Sequence, residues 1–148
     1  ELVLKISKHG KHISKEHAGN YFDKIGLGID FTARDVQLEC KKKGHPWEKA
    51  KAFDNSAIIS QKFINKDELD PSNTTFSLYQ NEEQVQIGNT SDLLFNYNEL
   101  IAYISQFVTL KAGDLIYTGT PEGVGPVKIG DQLKGLIGEQ LMFNIKVK

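Results

Sequence analysis

The sequence predicts a β-rich α+β domain with two or three short helices. Three observations support this prediction: alternating apolar residues near both ends, Gly-Asp turn signals in the C-terminal third, and only short stretches of helical spacing. The 148 residues correspond to about one domain, and no composition shift marks a linker. We therefore expect residues 1–148 to form a single domain.

The first third predicts two strands and two helices. Alternation of Leu2 and Leu4 predicts a strand over residues 1–7, already in progress at the first residue, so we expect the natural chain to begin upstream. Ser14 is a good N-cap for a helix through about Phe22. Residues 25–30 indicate a strand, and its glycines predict close approach of backbone or ligand.

A second helix is predicted after residue 30. Thr32 and Asp35 have the spacing of a capping-box-like start, and Gly44 followed by Pro46 ends the helix. Residues 54–60 are irregular, and residues 67–75 form a polar loop. Residues 75–78 and 84–87 then predict a hairpin.

The last half predicts one amphipathic helix and several strands. Apolar residues recur at helical spacing, and Asn96 or Asn98 caps their helix. We expect this face to pack in the core: it comprises Leu94, Tyr97, Ile101, Ile104 and Val108. Residues 115–118, 132–136 and 141–147 predict strands.

Composition excludes two classes of protein. The net charge is −1, which lacks the basic excess of a dedicated nucleic-acid binder. No apolar run approaches the roughly 20 residues that span a bilayer, so no membrane partner is predicted. Cys40 is the single cysteine, which excludes an intrachain disulfide and favours a small buried apolar residue in a reducing compartment.

Two candidate groups lie near the junction of the second strand and the second helix. Asp30 suits a hard cation such as Mg²⁺ or Mn²⁺, which prefers carboxylate oxygen, although an acid here also favours a helix N-terminus. Arg34 and Gln37 share one helical face, where an arginine fork suits a substrate carboxylate or a plain surface ion pair.

Two further candidates lie later in the chain. Lys51 stands among apolar neighbours, where it binds an anion or stabilises an enolate, or simply extends its stem along the surface. Thr120 lies in the glycine-rich stretch 118–125, which lacks the lysine of a P-loop. That stretch suits either anion binding or a tight turn.

Taken together and in order, these stretches resemble the fumarylacetoacetate hydrolase superfamily, especially its acylpyruvase and oxaloacetate decarboxylase branch. The resemblance covers almost the whole chain and is most specific in Tyr-Thr-Gly-Thr-Pro-Glu-Gly-Val-Gly. The matching stretches are residues 30–37, 42–47, 51–53, 88–90, 109–114 and 117–125.

The resemblance implies a mixed β-sandwich roll with a few short helices, which acts as a catalytic domain and forms a homodimer. It implies Mg²⁺ or Mn²⁺ held by Asp30 and Glu1. A further family glutamate and a water-activating His–Glu pair precede Glu1 in the family, so the N-terminal part is expected to be missing. Lys51, Arg34, Gln37 and Thr120 match positions that contact a bound 2-oxo acid, with Lys51 as the catalytic cation.

The implied activity is cleavage of a C–C bond in a small 2-oxo acid, acylpyruvate or oxaloacetate, through a metal-stabilised enolate. Two alternatives stay open: a 2-hydroxyhepta-2,4-diene-1,7-dioate-type isomerase or decarboxylase of aromatic catabolism, and a non-catalytic metal- or oxo-acid-binding member. We expect a cytoplasmic protein, or a mitochondrial matrix protein if the source is eukaryotic.

Overall fold

The computed structural model describes residues 1–148 as nine strands and four α-helices, with two short 3₁₀ turns. In chain order these are β1 (Leu2–Ile6), α1 (Lys15–Ala18), β2 (Phe22–Asp30), α2 (Arg34–Lys43), α3 (Glu48–Lys51), β3 (Ala57–Ile59), β4 (Ile64–Asn65), β5 (Thr75–Gln80), β6 (Glu83–Asn89), α4 (Tyr97–Phe107), β7 (Leu115–Tyr117), β8 (Gln132–Ile137) and β9 (Gln140–Lys146).

Two antiparallel sheets form the body of the protein. One has the order β3-β2-β1-β7, with β4 also paired to β2, and the other has the order β6-β5-β8-β9. The apolar residues of β1 and β2 face the second sheet and α4, which produces the alternation seen in the sequence. The predicted mainly-β architecture is confirmed. The largest buried side chains of the first sheet are Leu2, Leu4, Ile6 and Ile25.

The first predicted helix is too long. Ser14 does occupy the N-cap position of α1, but its side chain makes no capping hydrogen bond and the helix ends at Ala18. Phe22 instead begins β2, where it pairs with Ile6 of β1. The pairing of Phe22 with β1 is a tertiary contact, which no local sequence window contains. It overrides the local helix propensity, so the helix ends earlier than predicted.

The second predicted helix is confirmed with a different start. Gly44 ends α2 in the left-handed conformation, with φ of 65°. Its N-cap is Ala33 and not Thr32, whose hydroxyl accepts a hydrogen bond from Lys51 instead. The short elements α3, β3 and β4 were not predicted, since each has too few residues for a periodic pattern.

The hairpin and the long helix are confirmed in position. β5 and β6 turn at Asn81 and Glu82, both with positive φ, as a two-residue hairpin requires. Asn96 caps α4 through a complete capping box with Glu99. Leu94 lies before the helix and is 91% exposed, so its assignment to the buried face was wrong.

Val108 was also assigned wrongly to the buried face, because it follows the end of α4 and is exposed. The predictions for Cys40, Tyr97 and Ile101 are confirmed, since all three are buried. No helix is both long and apolar enough to cross a membrane.

Tyr97 carries a buried hydroxyl that has no hydrogen-bond partner. Its ring packs edge-on against Phe22, with the centroids 5.9 Å apart. Burial raises the pKa of the Tyr97 hydroxyl, so the group stays protonated. A buried polar group without a partner lowers stability, because its hydration is lost and nothing replaces it.

Replacing Tyr97 with Phe is therefore expected to leave the free energy of unfolding unchanged or to raise it by about 1 kcal/mol. Urea unfolding of the two proteins measures the difference. Tyr97→Leu is the matched control, which loses the ring contact with Phe22 and is expected to destabilise the protein. Equal losses in both variants would mean that the hydroxyl does have a partner.

Candidate active site

Glu1 and Asp30 lie on the same face of the first sheet because of the register between β1 and β2. The nitrogen of Glu1 donates to the carbonyl oxygen of Gly28, and the Gly28 N–H donates back to Glu1, each at 2.8 Å. Glu1 therefore stands opposite Gly28, and Asp30 lies two residues farther along that strand. Side chains at this offset share one face and are diagonal neighbours.

The Glu1 carboxylate is held by the glycine-rich loop after β7. The Gly119 N–H donates to Glu1 Oε2 at 3.1 Å, and the Thr120 hydroxyl donates to Glu1 Oε1. Thr118 anchors the start of this loop, since its N–H and its hydroxyl both donate to the Leu2 carbonyl oxygen, at 3.1 and 3.0 Å. The predicted residue Thr120 thus contacts the predicted residue Glu1 directly.

Asp30 forms an ion pair with Lys51. Lys51 Nζ lies 2.6 Å from Asp30 Oδ2 and 2.8 Å from the Thr32 hydroxyl oxygen. The two charged side chains are about one-third exposed, at 34% for Lys51 and 32% for Asp30. The unpredicted helix α3 brings Lys51 here, docked by a 3.1 Å hydrogen bond from the Ala33 N–H to the Ala50 carbonyl oxygen.

Arg34 and Gln37 contact each other on the first turns of α2. Arg34 Nη1 donates to Gln37 Oε1 at 2.8 Å, and Gln37 is buried. This is the shared helical face that the spacing predicts. The Gln37 acceptor oxygen is therefore already used by Arg34.

Tyr117 packs against the strand between the two acids. A Cβ atom added to Gly28 would lie 2.6 Å from both the Tyr117 ring and the Ile58 carbonyl oxygen, so the absence of a side chain allows this approach. The Tyr117 hydroxyl donates to Ile58 O at 2.8 Å. Its pKa is raised by burial and then by the Glu1 and Asp30 charges, which places both carboxylates near this ring.

A cavity of about 820 Å³ opens beside these groups. Of the predicted site residues, Glu1, Asp30, Arg34 and Thr120 line it. Gln37 and Lys51 do not line it. Lys51 reaches its wall through Asp30 and Thr32, which both do.

The residues present fit a hard divalent cation. Glu1 and Asp30 offer carboxylate oxygens from one sheet face at one cavity. No group of three or more His, Cys, Asp or Glu side chains forms a full protein cage. Two carboxylates suffice for Mg²⁺, which usually keeps several waters and takes remaining ligands from the substrate.

The sequence did not identify Tyr117 as a neighbour of the site, nor Val85 as a residue that lines the cavity. Val85 is an extra residue in β6, because Leu78 pairs with Gln86 and Tyr79 pairs with Gln84. Bulges of this kind redirect side chains at sites, and no sequence pattern marked this one. The glycine at position 28 was the available signal for Tyr117, since it predicted a close approach without naming the partner.

Comparison with known proteins assigns the chain and its fold to one family. The family described as fumarylacetoacetate (FAA) hydrolase C-terminal matches residues 1–143. The chain belongs to this family. An oxaloacetate tautomerase of Escherichia coli is 50% identical over 135 residues, covering 90% of this chain and 61% of that protein.

Solved structures agree with this family assignment. A fumarylacetoacetate hydrolase family protein of Yersinia pestis superposes with a TM-score of 0.95 at 41% identity, covering 100% of this chain and 68% of that one. Fumarylpyruvate hydrolase of Pseudomonas aeruginosa, in complex with Mn²⁺ and pyruvate, gives 0.91 at 36% identity, covering 99% and 63%. The chain spans about 61% of the length of the tautomerase.

Replacing Gly28 with Ala is expected to destabilise the protein by about 1–3 kcal/mol, because the new Cβ meets the Ile58 carbonyl oxygen and the Tyr117 ring. Thermal unfolding and Mn²⁺ titration measure the effect on the fold and on the site. Gly125→Ala is the matched control, since a Cβ there has no atom within 4 Å. Equal behaviour of the two variants would contradict the close approach at Gly28.

Proposed function

We propose that this protein is a Mg²⁺- or Mn²⁺-dependent enzyme that forms the enolate of a small 2-oxo acid. The observation that carries the proposal is that Glu1 and Asp30 line one cavity, while the Lys51 ammonium lies behind its wall, 2.6 Å from Asp30. The family relationship supports it, because relatives are named as an oxaloacetate tautomerase and as a hydrolase in complex with Mn²⁺ and pyruvate.

In this proposal Glu1 and Asp30 hold the cation, which when bound polarises the keto oxygen of the substrate. Lys51 adds fixed positive charge behind Asp30 and Thr32 at this end of the cavity, and its field stabilises the oxyanion that develops on enolisation. The Arg34 guanidinium binds the substrate carboxylate. Gln37 assists, because its side-chain oxygen accepts a hydrogen bond from Arg34 and so orients the guanidinium. Thr120 orients Glu1 through their hydrogen bond and presents its oxygen to the substrate.

Tautomerisation of oxaloacetate passes through its own enolate, formed when C3 loses a proton to solvent. Decarboxylation and C–C hydrolysis instead break a C–C bond and release the pyruvate enolate. We propose tautomerisation of oxaloacetate as the first reaction. Hydrolysis needs a positioned water and a base. None of the four histidines of this chain lines the cavity, and we therefore propose the reaction that needs no activated water. The homodimer and the cytoplasmic or matrix location belong to the proposal for the whole protein.

Asp30→Asn is expected to abolish metal-dependent turnover of oxaloacetate, because the amide removes one of two anionic ligands. The enol absorbance followed with Mg²⁺ and then with EDTA measures turnover, and calorimetry with Mn²⁺ measures binding. Asp23→Asn on the same strand is the control, since Asp23 is exposed and outside the cavity. Unchanged Mn²⁺ affinity in Asp30→Asn would remove the metal assignment.

Lys51→Ala is expected to lower turnover by about 10²-fold, on the scale of losing one oxyanion-stabilising donor. Steady-state kinetics with saturating Mg²⁺ separate this loss in kcat from any change in metal affinity. Lys43→Ala is the matched control, because Lys43 forms only an exposed pair with Glu39 on α2. Wild-type kcat in Lys51→Ala would leave Lys51 with a purely structural ion pair.

A further inference from the structure

The Thr32 hydroxyl does not cap the helix that follows it. Thr32 and Asp35 have the spacing of a capping box, but the N-cap of α2 is Ala33 and no side chain makes a capping hydrogen bond there. The Thr32 oxygen instead accepts a hydrogen bond from Lys51 Nζ at 2.8 Å. The hydroxyl therefore serves a contact with the cation of the proposed function.

The Lys51 side chain receives little support from its own element. Lys51 is the last residue of α3, a helix of four residues, and its side chain is 34% exposed. A flexible four-carbon stem loses conformational entropy when its ammonium is fixed. An ion pair at this exposure gives only a modest net attraction, because water screens it and the entropy opposes it. A second partner for the ammonium therefore adds to the 2.6 Å contact with Asp30.

The two partners of Lys51 differ in charge. Asp30 is assigned as a metal ligand, and a carboxylate that binds one cation attracts a second cation less strongly. The Thr32 hydroxyl is neutral, so its hydrogen bond with Lys51 does not depend on the charge of Asp30. Both partners belong to the junction of β2 and α2, so they hold the ammonium relative to the strand that carries Asp30.

We propose that Thr32 is a positioning residue, which holds the Lys51 ammonium behind the cavity wall while Asp30 binds the metal ion. This inference rests on the proposed function, in which Lys51 stabilises the developing oxyanion. Without the hydroxyl, Lys51 spends more of its time in rotamers that extend into solvent, and the oxyanion then loses its stabilisation. An interaction made only in the transition state changes kcat and leaves KM unchanged.

Thr32→Val removes the hydroxyl and keeps the branched shape of the side chain. It is expected to lower kcat for oxaloacetate with Mg²⁺ by about tenfold, on the scale of losing a supporting contact of a metal site. Thr32→Ser keeps the hydroxyl and is expected to stay within about twofold of the unchanged protein. Thr109→Val is the matched control, since Thr109 is exposed and outside the cavity. Wild-type kcat in Thr32→Val, or an equal loss in Thr32→Ser, would overturn the inference.

Combining Thr32→Val with Lys51→Ala tests whether Thr32 acts through Lys51. Residues that act as one unit are not additive, so kcat of the double variant is expected to lie within about twofold of Lys51→Ala alone. A further loss of about tenfold would mean that Thr32, which lines the cavity, contacts the substrate itself. That outcome would contradict the positioning role, as would a rise in KM in Thr32→Val.

The motion of the Lys51 side chain tests the inference without turnover. Relaxation of ¹³C at the Lys51 Cε methylene gives its order parameter in the metal-free protein. Thr32→Val is expected to lower this order parameter and to leave unchanged that of Lys43, which pairs with Glu39 on α2. The same order parameter at Lys51 with and without the hydroxyl would mean that Thr32 does not hold the ammonium.

Calorimetry with Mn²⁺ separates support of Lys51 from support of Asp30. Because Thr32 is not assigned as a ligand, Thr32→Val is expected to keep the Mn²⁺ affinity within about twofold. A loss as large as that in Asp30→Asn would assign the hydroxyl to the metal ligand and overturn the proposal.

Thermal unfolding shows whether each Thr32 variant is folded. If Thr32→Val does not fold, Thr32→Ser and Thr32→Ala become the deciding pair, because they differ only in the hydroxyl and Thr32→Ala is expected to show the loss of kcat. A loss of kcat in Lys51→Ala without one in Thr32→Val removes only the positioning role. Wild-type kcat in Lys51→Ala removes the role of Lys51 in the proposed function as well.

Discussion

The pairing of β1 with β2 sets both the core and the candidate site. Leu2 pairs with Leu27 and Leu4 with Ile25, which directs these four side chains into the space between the sheets. The same register places Glu1 opposite Gly28 and diagonal to Asp30 on the other face. A slip of one residue would exchange the faces, moving the acids into the space between the sheets and the leucines to the face that holds Val3. The apolar burial of β1 therefore maintains the geometry of the two carboxylates.

Neighbouring carboxylates repel each other unless cations or donors compensate them. Here each acid has its own compensation from a distant part of the chain: the loop after β7 donates two hydrogen bonds to Glu1, and α3 supplies Lys51 to Asp30. The Thr32 hydroxyl oxygen accepts a second hydrogen bond from the same Lys51 ammonium. Both acids therefore line the cavity with their charges compensated.

Much of the candidate site could be predicted, because its chemistry lies in short ordered motifs. Asp30, Arg34 and Thr120 stood out by residue type and position, and all line the cavity. Tyr117 and Val85 could not be found, since a ring lying over a glycine and a bulge in a hairpin both depend on a partner strand. The early end of α1 has the same cause: Phe22 has a strand partner that no local window contains.

The sequence by itself determined the mainly-β class, an asparagine cap for α4 at Asn96 or Asn98, the end of α2 at Gly44 and the residue types of the candidate site, because periodicity, capping and turn chemistry are local. Only the tertiary structure decided that Lys51 contacts Asp30 across 21 residues and that Thr120 contacts Glu1 across 119. These contacts follow from how two sheets pack and which strands pair, and such long-range choices are made by burial of the whole core.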